Sequence, residues 1–270
     1  MIRSLPGLCL ILSLAAAGSA LADTSHTVTL TTLDWPPYTG SQLPEQGLNS
    51  AVIRAAYAAM GYEVRIRVVP WQRAVAEASL NPQVAGYFPE YDSTAGRKSF
   101  FFSDPIGRSP LGFAERMNSR YQWQQLAELS RLRIGVVQGY VNTAELDERI
   151  ATKRQNADEA LDDTQNLLKL DRHHIDLAVI DRYVFDYLMQ NDPKLKTTRG
   201  NLRMNPHLLE EKLLYVCFKP SAEGKRLADI LNQGLKRINV EALTHRYLMD
   251  NKLGGVPPPQ PKAAMKKPAG

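Results

Sequence analysis

The chain has 270 residues, 44% hydrophobic and 23% charged, with a formal charge of +5 and a pI near 9.1. That composition is too apolar for a disordered chain and has neither a collagen-like nor a cysteine-rich bias. The length gives one large or two small domains with a substantial core, while the basic pI raises nucleic acid as a partner until the charge is located.

Residues 1–22 read as an export signal, with Arg3 as the basic start, Leu5 to Ala17 as the apolar stretch and Ala20-Leu21-Ala22 as a small-x-small cleavage pattern. Cleavage after Ala22 and a periplasmic location are expected. The apolar run is shorter than the roughly 20 residues of a spanning helix, and Cys9 lies inside it, away from any lipoprotein cleavage point. Without the signal Cys217 is alone, so no intramolecular disulfide forms and a buried place on a strand is expected.

At the other end, residues 251–270 contain Gly254-Gly255, Pro257-Pro258-Pro259 and several lysines, the composition of an extended, solvated tail. The signal carries one basic residue and the tail four, with no acid in either, so 28 basic and 28 acidic residues remain in the body. A neutral body argues against nucleic-acid binding, which would concentrate Lys and Arg on one face.

In chain order, His26 to Leu33 alternates as a strand and stops at Asp34-Trp35-Pro36-Pro37-Tyr38. From Leu48 the apolar residues follow the helical period as far as Gly61. Val64, Ile66 and Val68 alternate as a second strand, Pro70-Trp71 opens a short helix, and Val84 to Phe88 is a third strand. Leu111–Met117 and Leu132–Val137 read as further strands.

Asn142-Thr143-Ala144-Glu145 has capping-box spacing and starts a helix. Asp158, Glu159, Asp162 and Asp163 are expected at an exposed helix N-terminus, with a helix at Asp163–Leu170. Ile175–Ile180 is a strand buried on both faces, followed by a helix at 182–190, a strand at Leu213–Phe218 and an amphipathic helix at 222–238. Alternating strands and helices imply mainly parallel sheets covered on both faces, with ligands beyond the carboxyl ends of the strands.

No P-loop, dinucleotide, nucleophile-elbow or zincin pattern occurs. His173-His174 lacks the i, i+4 spacing of two ligands on one helix face, so a solvated turn is expected there and no metal site.

Several motifs in order resemble the periplasmic solute-binding proteins of the amino-acid type, family 3. They are Trp35-Pro36-Pro37-Tyr38, Gly47-Leu48, Pro70-Trp71-x-Arg73-Ala74, Thr94-x-x-Arg97 before Phe102-Ser103-Asp104-Pro105, Ile134-Gly135-Val136 before Gly139, and Asp176 to Asp181. The resemblance spans most of 27–250. It implies an α/β, two-lobed periplasmic binding protein fold (type II), with two crossing hinge strands and a ligand cleft between the lobes. Lobe 1 would comprise 27–112 and 218–250, and lobe 2 would comprise 113–217.

Within that frame Arg97 matches the family's carboxylate-binding arginine, and its guanidinium suits a two-bond grip; a surface Arg beside Lys98 is the other reading. Thr94 adds a hydroxyl or caps a helix. Tyr38 walls the cleft or belongs to the core, and Trp71 reads as a buried structural residue. Tyr87 and Glu90 follow a strand, where Glu90 either meets a ligand ammonium or faces solvent. Gly139 and Tyr140 precede a helix whose N–H groups can receive an anionic group. Asn142 contacts ligand or caps, and Asp181 matches the family's amino-group position or caps a helix.

Three stretches depart from the family pattern: Asn81-Pro82-Gln83-Val84-Ala85, Gly139-Tyr140-Val141, and the aromatic run with Pro89 and Glu90 before Arg97. They leave the ligand's identity open.

The expected function is capture of a small carboxylate-bearing solute, an amino acid or a relative, and its presentation to an inner-membrane ABC permease. No cofactor, metal, catalytic residue or nucleic-acid partner is expected, and the protein should be a monomer. The alternatives are an enzyme on the same fold, such as a cyclohexadienyl dehydratase-like lyase, and an orphan ligand-sensing module.

Overall fold

The computed structural model describes residues 26–251. The expected export signal and all of the expected tail except Asn251 lie outside the described residues.

The chain runs β1 (His26–Thr32), α1 (Leu48–Ala58), β2 (Tyr62–Val68), α2 (Trp71–Leu80), β3 (Gly86–Tyr91), α3 (Thr94–Ser99), β4 (Phe101–Phe102) and β5 (Gly107–Arg116). It continues with β6 (Arg133–Val137), α4 (Ala144–Ala151), β7 (Asn156–Ala160), α5 (Asp163–Asp171), β8 (Leu177–Asp181) and α6 (Arg182–Asn191). The last elements are β9 (Leu202–Phe218), α7 (Ala222–Leu235) and α8 (Val240–Asp250).

The strands form one sheet in the order β2-β1-β3-β9-β5-β8-β6-β7, with β4 beside β9. β1 is parallel to β2 and β3, and β6 is parallel to β7 and β8. Between these two parallel groups lies an antiparallel ribbon of β5 and β9, in register from Gly107 opposite Leu214 to Arg116 opposite Leu202, with irregularities around Gly112. Two α/β lobes are thus joined by two crossing strands.

Helices cover both groups because their apolar residues repeat at helical spacing. Val52, Ile53 and Ala56 of α1 are fully buried, as is Leu231 of α7, which packs on α1. Buried threonines on β1 tie it to its neighbours: Thr31 donates its hydroxyl to Ala74 O of α2 at 2.8 Å and Thr32 to Phe88 O of β3 at 2.6 Å. Cys217 is fully buried on β9, and burial pushes its thiol up.

The structure departs from the sequence reading in several places, and β5 begins at Gly107 instead of Leu111. β9 has 17 residues, of which only 213–218 read as a strand, because Asn205-Pro206-His207 and Glu210-Glu211-Lys212 interrupt the apolar pattern. Asp158 and Glu159 lie not at a helix N-terminus but in β7, paired with β6, and Asp158 takes an ion pair from Lys169 at 2.6 Å. β3 begins and ends later than expected, so Tyr87, Glu90 and Tyr91 lie within it, opposite Cys217, Tyr215 and Leu214 of β9. The helix expected over 222–238 stops at Leu235, and α8 follows behind the Asn239 cap, whose side chain accepts from Ala242 N at 2.9 Å.

His173 and His174 are exposed in the turn after α5, His173 with φ of 61°.

Candidate functional site

The carboxyl ends of β1, β3, β6 and β8 converge where the lobes meet. After β1, the Trp35–Thr39 turn closes with Trp35 N–H donating to Thr39 O at 2.8 Å and Tyr38 N–H to Trp35 O at 3.0 Å. This turn stacks the Trp35 and Tyr38 rings, centroids 4.7 Å apart. After β6, Gly139 adopts φ of +79°, a conformation open to glycine. It turns its carbonyl to the other lobe, where Trp71 Nε1 donates to it at 3.0 Å.

Two small adjoining cavities lie in the cleft. One, of about 30 Å³, is lined by Trp35, Trp71, Glu90, Tyr91, Tyr140 and Leu214 among others. The second, of about 20 Å³, shares Trp35, Tyr91 and Tyr140 and adds Asn142, Asp163 and Asp181. The walls are aromatic edges and faces: Trp71 meets Tyr140 edge-on at 5.8 Å, and Trp35 meets Tyr91 at 6.2 Å.

The polar lining is acidic. Glu90 is 8% exposed, Asp163 6% and Asp181 1%. Glu90 accepts from the Tyr87 hydroxyl at 3.1 Å and from Tyr91 N–H at 2.8 Å, yet burial pushes its carboxyl up to about 7. Burial, then the nearby Asp181 and Asp162 charges, push Asp163 up to about 7 as well. Asp181 rises to about 6 through burial, restrained by its hydrogen bonds.

Those bonds are complete. Asp181 Oδ1 accepts from Tyr183 N–H at 2.6 Å and Val184 N–H at 2.9 Å, capping α6. Its Oδ2 accepts from Ser109 Oγ at 2.5 Å and the Tyr38 hydroxyl at 3.1 Å. Among the described residues no ion pair involves Glu90, Asp163 or Asp181. Lys212 is the neighbouring base, its Nζ 5.4 Å from the centre of the Tyr91 ring and 3.5 Å from Glu210.

The residues expected from sequence are thus partly brought together. Glu90, Tyr140, Asn142 and Asp181 line the cleft cavities, Gly139 bridges the lobes, and Tyr87 stands behind Glu90. Tyr38 is 2% exposed and tied to Asp181. Asn142 does not cap α4: Thr143 does, accepting from Leu146 N–H at 3.2 Å, while Asp147 receives the Asn142 backbone N–H at 3.0 Å and side-chain amide at 2.7 Å.

Thr94 is exposed and does not cap α3, since Ser93 Oγ accepts from Gly96 N–H at 3.0 Å. Arg97 is away from the cavity linings. Its Nε and Nη2 donate to the two carboxylate oxygens of Asp92 at 2.6 and 2.9 Å. Its guanidinium lies over Phe102 at 4.8 Å.

Besides the cleft-lining Trp35 and Tyr91, three further residues escaped the sequence reading. Asp163 sat in an acidic run that suggested an exposed helix end, and Trp71 read as buried structure although it reaches across to Gly139. Ser109 had no motif; only its place in a crossing strand marks it.

No family model and no curated protein matches the sequence. Solved structures do match in shape. A histidine kinase sensor domain with similarity to periplasmic binding proteins superposes with a TM-score of 0.70 at 17% identity, covering 85% of this chain and 97% of that one. The GluR0 ligand-binding core from Nostoc punctiforme, in complex with L-glutamate, gives 0.66 at 17% identity over 83% and 98%. An amino acid ABC transporter substrate-binding protein, AbpA, from Streptococcus pneumoniae bound to L-arginine gives 0.64 at 13% over 83% and 94%. The chain therefore has the two-lobed fold of the periplasmic binding proteins, and its structural neighbours include amino-acid-binding proteins of that fold.

Proposed function

We propose that this protein is a periplasmic solute-binding protein whose lobes, 27–112 with 218–250 and 113–217, close on a small solute carrying a protonated amine. The observation that carries the reading is the set of buried carboxylates Glu90, Asp163 and Asp181, facing aromatic-walled cavities and, among the described residues, in no ion pair. A buried charge needs a partner or becomes protonated. A cation entering the cleft supplies that partner, and the faces of Trp35, Trp71 and Tyr140 favour a positive group over a neutral one.

Glu90 and Asp163 are the assigned anchors. Asp181, already accepting four hydrogen bonds, acts mainly through its charge. Arg97, engaged by Asp92, is assigned no carboxylate grip. Release to an inner-membrane ABC permease is the proposed role, by analogy with the pneumococcal protein. The sensor domain at TM-score 0.70 supports a second reading, a ligand-sensing module without a permease.

A thermal-shift screen tests the ligand class. Small amines and amino acids should raise the Tm by mass action, whereas organic anions of equal size should not. Shifts from the anions alone would refute the amine reading. Co-purification of a permease with the loaded protein separates import from sensing.

A further inference from the structure

The two cleft cavities are too small for a whole solute. A water molecule needs about 10–15 Å³ of such space, so cavities of about 30 and 20 Å³ admit a head group the size of an ammonium and little more. The space continues outward. Leu33, Trp71 and Tyr140, which line the first cavity, also line a groove of about 540 Å³ between the lobes. Asp34, Val68 and Val69 form part of its lobe 1 wall, and Gln138, Leu161 and Asp162 its lobe 2 wall. Leu161 is 74% exposed there, an apolar side chain open to cover.

Neither the cavities nor the groove offers a receptor for a carboxylate. Among the described residues no Lys, Arg or His lines any of the three. Helix N-termini are the other common anion sites, and those after β6, β7 and β8 are filled by the protein's own oxygens. Thr143 accepts from Leu146 N–H at the start of α4, and Asp162 Oδ1 accepts from Gln165 N–H at 2.7 Å at the start of α5. Asp181 Oδ1 takes two N–H groups at the start of α6. A ligand carboxylate would enter beside acidic side chains with no counter-charge to offset its desolvation.

The groove also has free acceptors. Asp34 Oδ1 accepts from Ser41 N–H at 2.6 Å and the Ser41 hydroxyl at 3.0 Å, so its Oδ2, like that of Asp162, is left without a hydrogen bond. Among the described residues neither aspartate forms an ion pair. One stands on each lobe, so a cation held by both favours closure.

We infer that the cleft takes an elongated α,ω-dication without a carboxylate. One ammonium enters beside Glu90 and Asp163, the alkyl stem lies along Leu33, Trp71 and Leu161, and the second cationic group meets Asp34 and Asp162. This assignment rests on the amine reading above and narrows it.

Matched pairs test it. Cadaverine is lysine without its carboxylate, and agmatine is arginine without its own. Calorimetric titration should show cadaverine and agmatine binding at least about tenfold tighter than lysine and arginine. Pentylamine, with the same stem and one ammonium, should bind about fivefold more weakly than cadaverine. Asp34→Asn combined with Asp162→Asn, at two exposed positions and with Asn still able to cap α5, should reduce the cadaverine-to-pentylamine ratio below about twofold. The proposal is overturned if lysine or arginine binds as tightly as its decarboxylated partner, or if cadaverine keeps its full advantage in the double variant. Either result leaves the amine reading standing. Saturation by none of these amines and amino acids removes both.

Discussion

The hydroxyl of Tyr38 stands 3.1 Å from Oδ2 of Asp181, joining the turn after β1 to the first turn of α6 across 143 residues of chain. The same hydroxyl lies 3.0 Å from Arg108 O on crossing strand β5. On that strand Ser109 contacts Asp181 at 2.5 Å and Tyr91 at 2.5 Å. One carboxylate thus ties both lobes and a hinge strand together, and its burial places negative charge beside the cleft.

Removing this tie has graded effects. Tyr38→Phe should cost about 1–2 kcal/mol, the value of its hydroxyl contacts in a buried place. Asp181→Ala also removes the α6 cap and strands the Ser109 and Tyr38 hydroxyls, so about 2–4 kcal/mol is expected. Denaturant titration of both variants checks the order. An Asp181→Ala protein as stable as Tyr38→Phe would mean that the cap and Ser109 contribute nothing.

Stability should fall with pH in the ligand-free protein. Glu90 and Asp163, at about 7, and Asp181, at about 6, stand above the ordinary range near 4. A carboxyl raised on folding adds stability that is complete below its unfolded value and lost as pH climbs through the folded value. The loss should therefore run between about pH 4 and pH 8, on the order of 3 to 4 kcal/mol per group at most. The Tm at pH 5 should exceed that at pH 8, with a shallower slope for Glu90→Gln. A Tm that rises over this window would contradict the assigned burial effect.

Trp71→Phe keeps an aromatic wall and deletes the bond from Trp71 Nε1 to Gly139 O. Because this bond joins the two lobes across the cleft, ligand affinity should drop about fivefold, for roughly 1 kcal/mol. The change in overall stability should be smaller than that. Equal affinity in the two proteins would show that the bond does not help closure.

Arg97→Ala provides the opposite case. Its pair with Asp92 is half exposed, and such pairs contribute about 0–1 kcal/mol. Stability should change by about 1 kcal/mol, and amine affinity should stay within about twofold. A tenfold loss measured by calorimetry would return Arg97 to the binding site.

The fold was legible because its signals are periodic. The β1 alternation, the α1 spacing and the apolar run of β8 each sit where the period places them. β9 was legible only at its buried end, since its first two-thirds is a ribbon edge exposed enough to hold Glu210 and Glu211. The Asp181 cap was visible as an alternative at its position. Asp163 was not, because an acidic run looks the same in sequence whether its carboxylates face water or turn inward, and this one turns into the cleft beside Trp35 of the other lobe. The fate of Arg97 was hidden for a similar reason: Asp92, five residues earlier, competes for the fork that motif spacing assigns to a ligand.

The central claim, that buried carboxylates receive a cation, is tested most directly by proton counting. The best amine from the screen is titrated calorimetrically at about pH 6.5 in buffers of different ionisation enthalpy, in a range where the raised carboxyls are part protonated. A cation favours their ionised form, so binding should release protons, and affinity should increase from about pH 5 to about pH 8. Proton uptake, or binding that is blind to both pH and buffer, would contradict the account.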